Sequence, residues 1–437
     1  MADEYFVGLR GTDDVVDQEK VYSWRDGIKR LFPNGMTPLT GLTSMMASES
    51  TPSQRYYWWT KTLATQRYAG TAGSFIYTDA LCSAALTVDQ YKLAGTTLYV
   101  KATTAAAEMF RAGHTVSLDD ADDSRVSKIA KVMSISPLDG TYSSIAVKLL
   151  EDDHNWTVTT APWDLYTADV IRVVGNVNPQ GSTVPEALTQ GPSLFFNYTQ
   201  IFRNALEITR SLRKEKSRSA NFYEESKRDI LEQHGIELEK AFLFGVRYAG
   251  TGSNGKPEYA TGGLIDAIKT YGTNQDYSLD SATAFAGKTW LDAGEDWVDE
   301  HLEEIFRYGT DQRLALCGSG ALLGIQRLIK ALGMTMLTPR TTTWGLNVRE
   351  WTTPFGLITL KTHPLFSYEA TLRNRIVLFE PANLRYRYVD DTVFQPVEST
   401  NGFDGTKEEY FTDAGLEFWF PETGGVLDGV GVDNAVT

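Results

Sequence analysis

Apolar residues recur at helical spacing through Asn221–Gly245. Ile230, Leu231, Leu238 and Phe242 form a narrow stripe, and charged residues such as Glu224, Lys227, Glu232 and Glu237 fill the remaining positions. The pattern predicts a helix over 222–244 that buries one side only. Asn221 and Glu224 stand at capping-box spacing, and Gly245 is placed to end the helix in a left-handed turn. At about 1.5 Å per residue the helix runs roughly 35 Å, so it reads as a spine laid across a sheet. Gly235 inside it predicts a bend or a close backbone approach.

Period-two patterns dominate the chain before this helix. Tyr56–Leu63 and Ser193–Leu212 are two long β-prone runs. Between them, Thr97–Ala102, Val116–Leu118, Ser127–Ile135, Ile145–Leu150 and Val170–Val174 are short strands separated by turns such as Asp139-Gly140, which predicts a small barrel or sandwich over about 85–185. Residues 105–110 add one or two helical turns. The two long runs therefore flank a small β domain like the sides of a hairpin. Residues 1–54, broken by glycine, proline and charge, read as an arm with one short helical piece at 36–46.

After the helix, Tyr248–Gly263 is a glycine-rich loop. Helical spacing returns at Asp292–Gly309 and Ser319–Leu332, with strands at Arg313–Cys317 and Val348–Thr362. This alternation predicts a compact α/β or α+β domain over about 286–375. Strands follow at Arg375–Thr392 and Tyr410–Phe420, with Arg385 and Arg387 on one face and Tyr386 and Tyr388 on the other.

Three further stretches carry a resemblance. They are Thr37-Pro-Leu-Thr-Gly-Leu42, Asn197-Tyr-Thr-Gln-Ile-Phe-Arg203, and Glu237–Gly245 followed by Thr261-Gly-Gly-Leu264. Together with the order of parts they resemble the major capsid proteins of tailed bacteriophages with the Hong Kong 97-type fold, in the branch with a β insertion in the extended loop. The resemblance implies an α+β fold with an N-terminal arm (1–54), an extended loop (55–216) carrying the inserted β domain, and a peripheral domain (217–285) with the spine helix. It further implies an axial domain (286–375) and C-terminal strands (376–437) returning to the peripheral domain. It implies hexamers and pentamers in an icosahedral shell enclosing double-stranded DNA, with cement, portal and scaffolding proteins as further partners, and neither catalysis nor a cofactor. The implied location is the virion capsid, assembled in the host cytoplasm. A nanocompartment shell of the same fold is the alternative. The start at Met1 gives no sign of a removed scaffolding segment.

Composition is compatible with this. The 437 residues exceed the roughly 250–300 at which one core stops growing, so several domains are expected. The formal charge of −15 argues against wrapping nucleic acid with the whole surface. Cys82 and Cys317 are the only cysteines, far apart, which excludes a disulfide framework. No signal peptide and no apolar run of membrane-spanning length occurs, so a soluble protein made in a reducing cytoplasm is expected.

Against this acidic background Arg210, Arg213, Lys214, Lys216 and Arg218 form a basic cluster just before the spine helix, where positive charge opposes the helix dipole. They are the candidate inter-subunit contacts. An acidic patch on a neighbouring copy, genomic phosphate, or plain solvation are the three readings of them.

The remaining motifs carry less. Gly250–Lys256 satisfies GxGxxG and nearly a P-loop, the basis of a nucleotide-enzyme alternative. Pro257 stands where the loop needs Ser or Thr, and a flexible loop is expected. The five histidines show no HExxH spacing, and His234 and His301 read as helix-surface or packing residues. Asp119–Asp123 could offer carboxylates to calcium, yet lacks the EF-hand glycine and glutamate. The sequons at Asn155 and Asn197 are expected to be unused without secretion.

Overall fold

The computed structural model describes residues 47–63, 65–87, 90, 92–153, 165–215, 221–331, 341–343, 346–397 and 405–436. The expected arm lies outside these residues up to position 46. Strands β1 (Ser48–Ser50) and β2 (Arg55–Thr60) open the described chain. The chain divides into two compact units, Lys61–Ser193 and the segments that flank it.

Among its described residues the Lys61–Ser193 unit is β apart from two short helical turns, one of them a 3-10 turn at Leu165–Thr167. Strands β3 (Arg67–Ala69), β4 (Ile76–Tyr77) and β5 (Thr97–Thr103) precede α1 (Thr104–Ala107), and β6 (His114–Asp119), β7 (Ser127–Pro137), β8 (Tyr142–Leu149) and β9 (Val170–Asn176) follow. All seven join one antiparallel sheet in the order β3-β9-β6-β7-β8-β5-β4. Alternation along the strands sends Val100, Val116, Val132, Val147 and Ile171 into one core with Phe75. The unit begins earlier than the boundary near 85, because β3 and β4 are too short to show a period and Phe75 is buried by tertiary packing alone.

In the other unit β10 (Ser193–Tyr198) pairs with β2, and β11 (Gln200–Thr209) runs into the short helix α2 (Arg210–Lys214) and the spine helix α3 (Phe222–Phe244). A hairpin of β12 (Tyr248–Thr251) and β13 (Pro257–Ala260) leads to α4 (Leu264–Tyr271) and β14 (Thr273–Asp276). Then come α5 (Trp290–Phe306), β15 (Gln312–Cys317), α6 (Ser319–Ala331), β16 (Thr341–Thr343), β17 (Leu346–Thr353), β18 (Gly356–Thr362) and α7 (Pro364–Tyr368). Strands β19 (Ile376–Phe379), β20 (Leu384–Pro396), β21 (Gly405–Phe418) and β22 (Gly425–Asp428) complete the unit.

Two sheets organise these elements. One is mixed and seven-stranded, in the order β14-β22-β19-β15-β18-β17-β16, so it reaches beyond the expected 286–375 on both sides. Its core holds Trp290 and Trp297 of α5 edge-on to Tyr277, with ring centroids 5.0 and 5.5 Å apart. The other sheet is four-stranded, β1-β20-β21-β11, and the spine helix packs on one of its faces.

That helix spans 23 residues without proline, and Asn221 caps it by accepting from the Tyr223 amide at 3.2 Å, not through the box with Glu224. Its buried residues are His234, Leu238, Glu239, Phe242 and Leu243. Leu231, expected in the stripe, is 45 % exposed. The polar residues sit inside because His234 finds partners in the sheet and Glu239 finds one in His363, the cap of α7. Asn204 donates to Glu237 at 2.9 Å, which leaves its carbonyl to accept from His234 Nδ1, while Thr412 donates to His234 Nε2 at 2.8 Å. His363 accepts the Leu365 amide at Nδ1 and so donates from Nε2 to buried Glu239 at 2.7 Å. Gly235 meets nothing within 4 Å of a built Cβ, so no close approach explains it.

The helix ends where the sequence motifs converge. Asn197, the buried position of β10, donates to the Gly262 and Leu416 carbonyls at 3.0 and 2.7 Å, while its own oxygen accepts the Tyr198 and Gly262 amides. Gly245 is not left-handed: its φ is −57°. A Cβ there would come within 2.3 Å of the Ala241 carbonyl oxygen and 2.5 Å of that of Thr261. The glycine is required by backbone proximity, and the Gly263 amide donates to the Gly245 carbonyl at 2.8 Å.

Two stability predictions follow from these contacts. Because the atoms facing Gly245 are backbone, Gly245→Ala should destabilise the unassembled chain by about 1–3 kcal/mol; a thermal melt coincident with the parent would refute the close approach. Burial holds the imidazoles of His114, His234 and His301 below their ordinary 6.5. The unfolded chain therefore takes up protons that the folded chain refuses. Stability present above pH 6.5 is lost as pH falls below it. Melts across that range should show the loss, with a shallower slope in His234→Gln.

Candidate assembly surface

The sheet face away from the spine helix is made of paired charges. Arg203 donates to both oxygens of Glu409, at 3.0 and 2.8 Å, and Glu409 also accepts from Gln395 at 3.1 Å. The Arg203 guanidinium lowers the Glu409 carboxyl pKa. Arg387 lies between Glu417 and Glu49 of β1, whose carboxylate is 2.7 Å away, and Lys407 pairs with Glu207. Arg387 and Tyr386 take opposite faces, as the alternation predicts. Most of the charges on this face are paired within the chain, while among the described residues buried Asp413 on the same side meets only the Gln54 amide at 3.4 Å.

The basic cluster lies at the end of β11. Thr209 caps α2 by accepting from the Leu212 amide, and Arg213 and Lys214 fill the last turn, where positive charge favours that short helix. The opposition to the spine helix expected from sequence is thus offset locally. Arg213 is engaged within the chain: it donates to Thr406 at 3.1 Å and stacks over Tyr223 at 4.9 Å. Tyr223 in turn donates to Glu408 at 2.6 Å, which pushes its phenol up to about 12. Arg210 and Lys214 are exposed, as is the neighbouring Leu212. Lys216 and Arg218 lie outside the described residues.

A second basic feature went unread in the sequence. Alternation along β2 sends Tyr56 inward, where it donates to the Leu416 carbonyl at 2.8 Å, and turns Arg55, Tyr57 and Trp59 outward. The Arg55 guanidinium sits 4.3 Å from the Phe196 ring and 4.9 Å from that of Tyr57. Arg247 flanks the same Phe196 ring at 4.2 Å and donates to the Phe196 carbonyl at 2.9 Å. Tyr198 stacks on Tyr259 of the β12–β13 hairpin at 4.9 Å and 9°. The signal was the alternation of Arg55-Tyr-Tyr-Trp-Trp59 itself, but Arg247 is remote in sequence.

The other motifs resolve structurally. Gly250–Lys256 is the turn of the β12–β13 hairpin, closed by the Gly252 amide donating to the Lys256 carbonyl at 2.8 Å, and no helix follows it to face a phosphate. It is an ordered turn, not a plain loop. In the acidic turn, Asp119 pairs with Arg172 at 2.8 Å and Asp123 with Arg125 at 2.6 Å; hydrogen bonding from Arg125 holds Asp123 at about 2. Among the described residues no group of His, Cys, Asp and Glu is arranged to hold a metal. Asn197 is buried and unavailable for glycosylation, and Asn155 lies outside the described residues. Cys82 and Cys317 are unbridged, and no described helix is long and apolar enough to cross a membrane.

Residues 11–431 match the family model described as SU10 major capsid protein. Over 219 residues the chain is 29% identical to a major capsid protein of Pseudomonas phage PaMx41. That match covers 50% of this chain and 51% of the relative, so the chain spans about half the length of the curated relative it matches. Solved structures with some likeness include the capsid of an empty GTA particle, at 7% identity and a TM-score of 0.42, covering 95% of this chain and 97% of that one. The capsid of Myoviridae phage XM1 shows 14% identity and a TM-score of 0.35, over 58% and 81% of the two chains. The SrpI encapsulin of Synechococcus elongatus PCC 7942 shows 12% and 0.38, over 56% and 77%. Scores this low carry no argument, and the family assignment rests on the sequence match.

Proposed function

Because the chain belongs to the family of SU10 major capsid proteins, we propose that it is the structural shell subunit of a phage, with the Hong Kong 97-type fold, and that its copies assemble as hexamers and pentamers into an icosahedral capsid. The match across nearly the whole chain carries this reading. On it, residues 1–54 are the arm, 55–216 the extended loop with its inserted β unit, 217–285 with 376–437 the peripheral domain, and 286–375 the axial domain. The work is mechanical, with neither catalysis nor a cofactor. The contents are double-stranded DNA held without sequence-specific contacts, in keeping with a chain of formal charge −15. Portal, cement and scaffolding proteins are further partners, and assembly takes place in the host cytoplasm.

The basic residues near 210–218 are assigned to contacts between copies. Arg213 has a role inside its own chain, so Lys214 is the cleaner reporter. Electron microscopy of the purified protein should show uniform closed shells, and nuclease-protected DNA inside particles from infected cells separates a genome container from a protein-cargo compartment. A monodisperse monomer under all assembly conditions would end the shell reading. Lys214→Glu should leave the monomer's melt unchanged and raise the concentration needed for assembly several-fold; unaltered shells would remove Lys214 from the interface.

A further inference from the structure

Several arginines in this chain stand against carboxylates. Arg203, Arg375 and Arg387 have carboxylate oxygens at 2.8, 2.5 and 2.7 Å. Arg55 and Arg247 are not in that group: among the described residues neither forms an ion pair, although the chain carries a formal charge of −15. Both instead flank the Phe196 ring, at 4.3 and 4.2 Å. Each contact of this kind is attractive and holds the guanidinium against the ring. A stacked guanidinium keeps N–H donors at its edge, in the fork geometry that matches a carboxylate. Two like charges sharing one ring also repel each other, and an anion beside either guanidinium offsets that repulsion.

The surroundings are those of a contact centre. Tyr57, Trp59, Leu194 and Tyr248 are each about half exposed or more. Aromatic residues beside arginine are the composition on which binding energy concentrates. The complementary surface is present in the same sequence. The outer side of α5 carries Glu295, Asp296, Asp299, Glu300 and Glu303 with no lysine or arginine in the helix. Arg307, just past its end, pairs with Glu303 at 2.7 Å. Burial, and then the neighbouring Asp296, raise the Asp299 carboxyl.

We propose that the Arg55–Phe196–Arg247 stack is a carboxylate-receiving contact for a second copy of this chain, seated by the acidic outer side of α5. This rests on the shell reading, since it needs many copies held together. It goes beyond that reading in naming which surfaces meet. The partner is protein, because the stack is flanked by large apolar side chains that need covering.

The test uses the full chain. Arg55→Glu combined with Arg247→Glu should keep the parent's circular dichroism and melt, and fail to form shells at concentrations where the parent assembles. Independently, Arg247→Lys provides an amine for zero-length carbodiimide coupling. Light- and heavy-nitrogen copies of that variant are mixed, coupled and digested, and peptides joining residue 247 of one copy to the α5 peptide of the other are expected. Shells formed by the double variant at the parent's concentration would overturn the proposal. So would links only within one copy, or links between copies through carboxylates outside α5. Normal shells from the double variant that lack DNA would show that phosphate is received there instead. Should the parent make no shells, the shell reading falls, while coupling in concentrated solution still decides the contact.

Discussion

Backbone touches backbone where the spine helix ends. The Ala241 and Thr261 carbonyls leave no space for a Cβ at Gly245, and one at Gly263 would lie 2.9 Å from the Gly245 nitrogen. Asn197 is bound to both sides of this junction, through Gly262 and through Leu416 of β21. The strand before the helix, the loop after it and the returning C-terminal strand are thereby held to one position. Such an approach needs a particular residue at each point and tolerates little change. The apolar packing around it, with Phe242, Leu264 and Phe418 in one core, is non-directional and could accept many sequences.

The spine helix and most strands were legible in the sequence because periodicity reports burial directly. What misled was the assumption that the buried stripe is apolar. His234 and Glu239 are inside because Thr412, Asn204 and His363 satisfy them, and those partners lie 30 to 178 residues away. Leu231 is outside because the stripe advances by four residues through 234, 238 and 242. Gly245 was identified correctly as special, but for a conformational reason when the real one is steric. No local pattern distinguishes the two. The candidate basic residues were visible as charge, whereas the double stack on Phe196 joins positions 55, 196 and 247 and exists only after folding.

Charge in this molecule is arranged by neighbourhood more than by total. The face of the four-stranded sheet away from the spine helix holds arginines and glutamates in mutual contact, so its field beyond about a Debye length is small. Net negative charge concentrates instead where few cations accompany it, as along α5, which contains no lysine or arginine of its own. An acidic chain of this kind repels its own kind at long range and attracts it only at particular short-range matches. That favours slow, selective association over indiscriminate clustering.

The paired strands β2 and β10 have one more consequence. The chain departs at Thr60 and re-enters at Leu194, from neighbouring strands of a two-stranded ribbon. For the unit that holds the ribbon, everything between is a single connection, and the entropy of closing a loop grows only with the logarithm of its length. Replacing it with a foreign domain of similar length would change that entropy little. The place where this chain carries its own β unit is therefore a natural port for displaying other proteins.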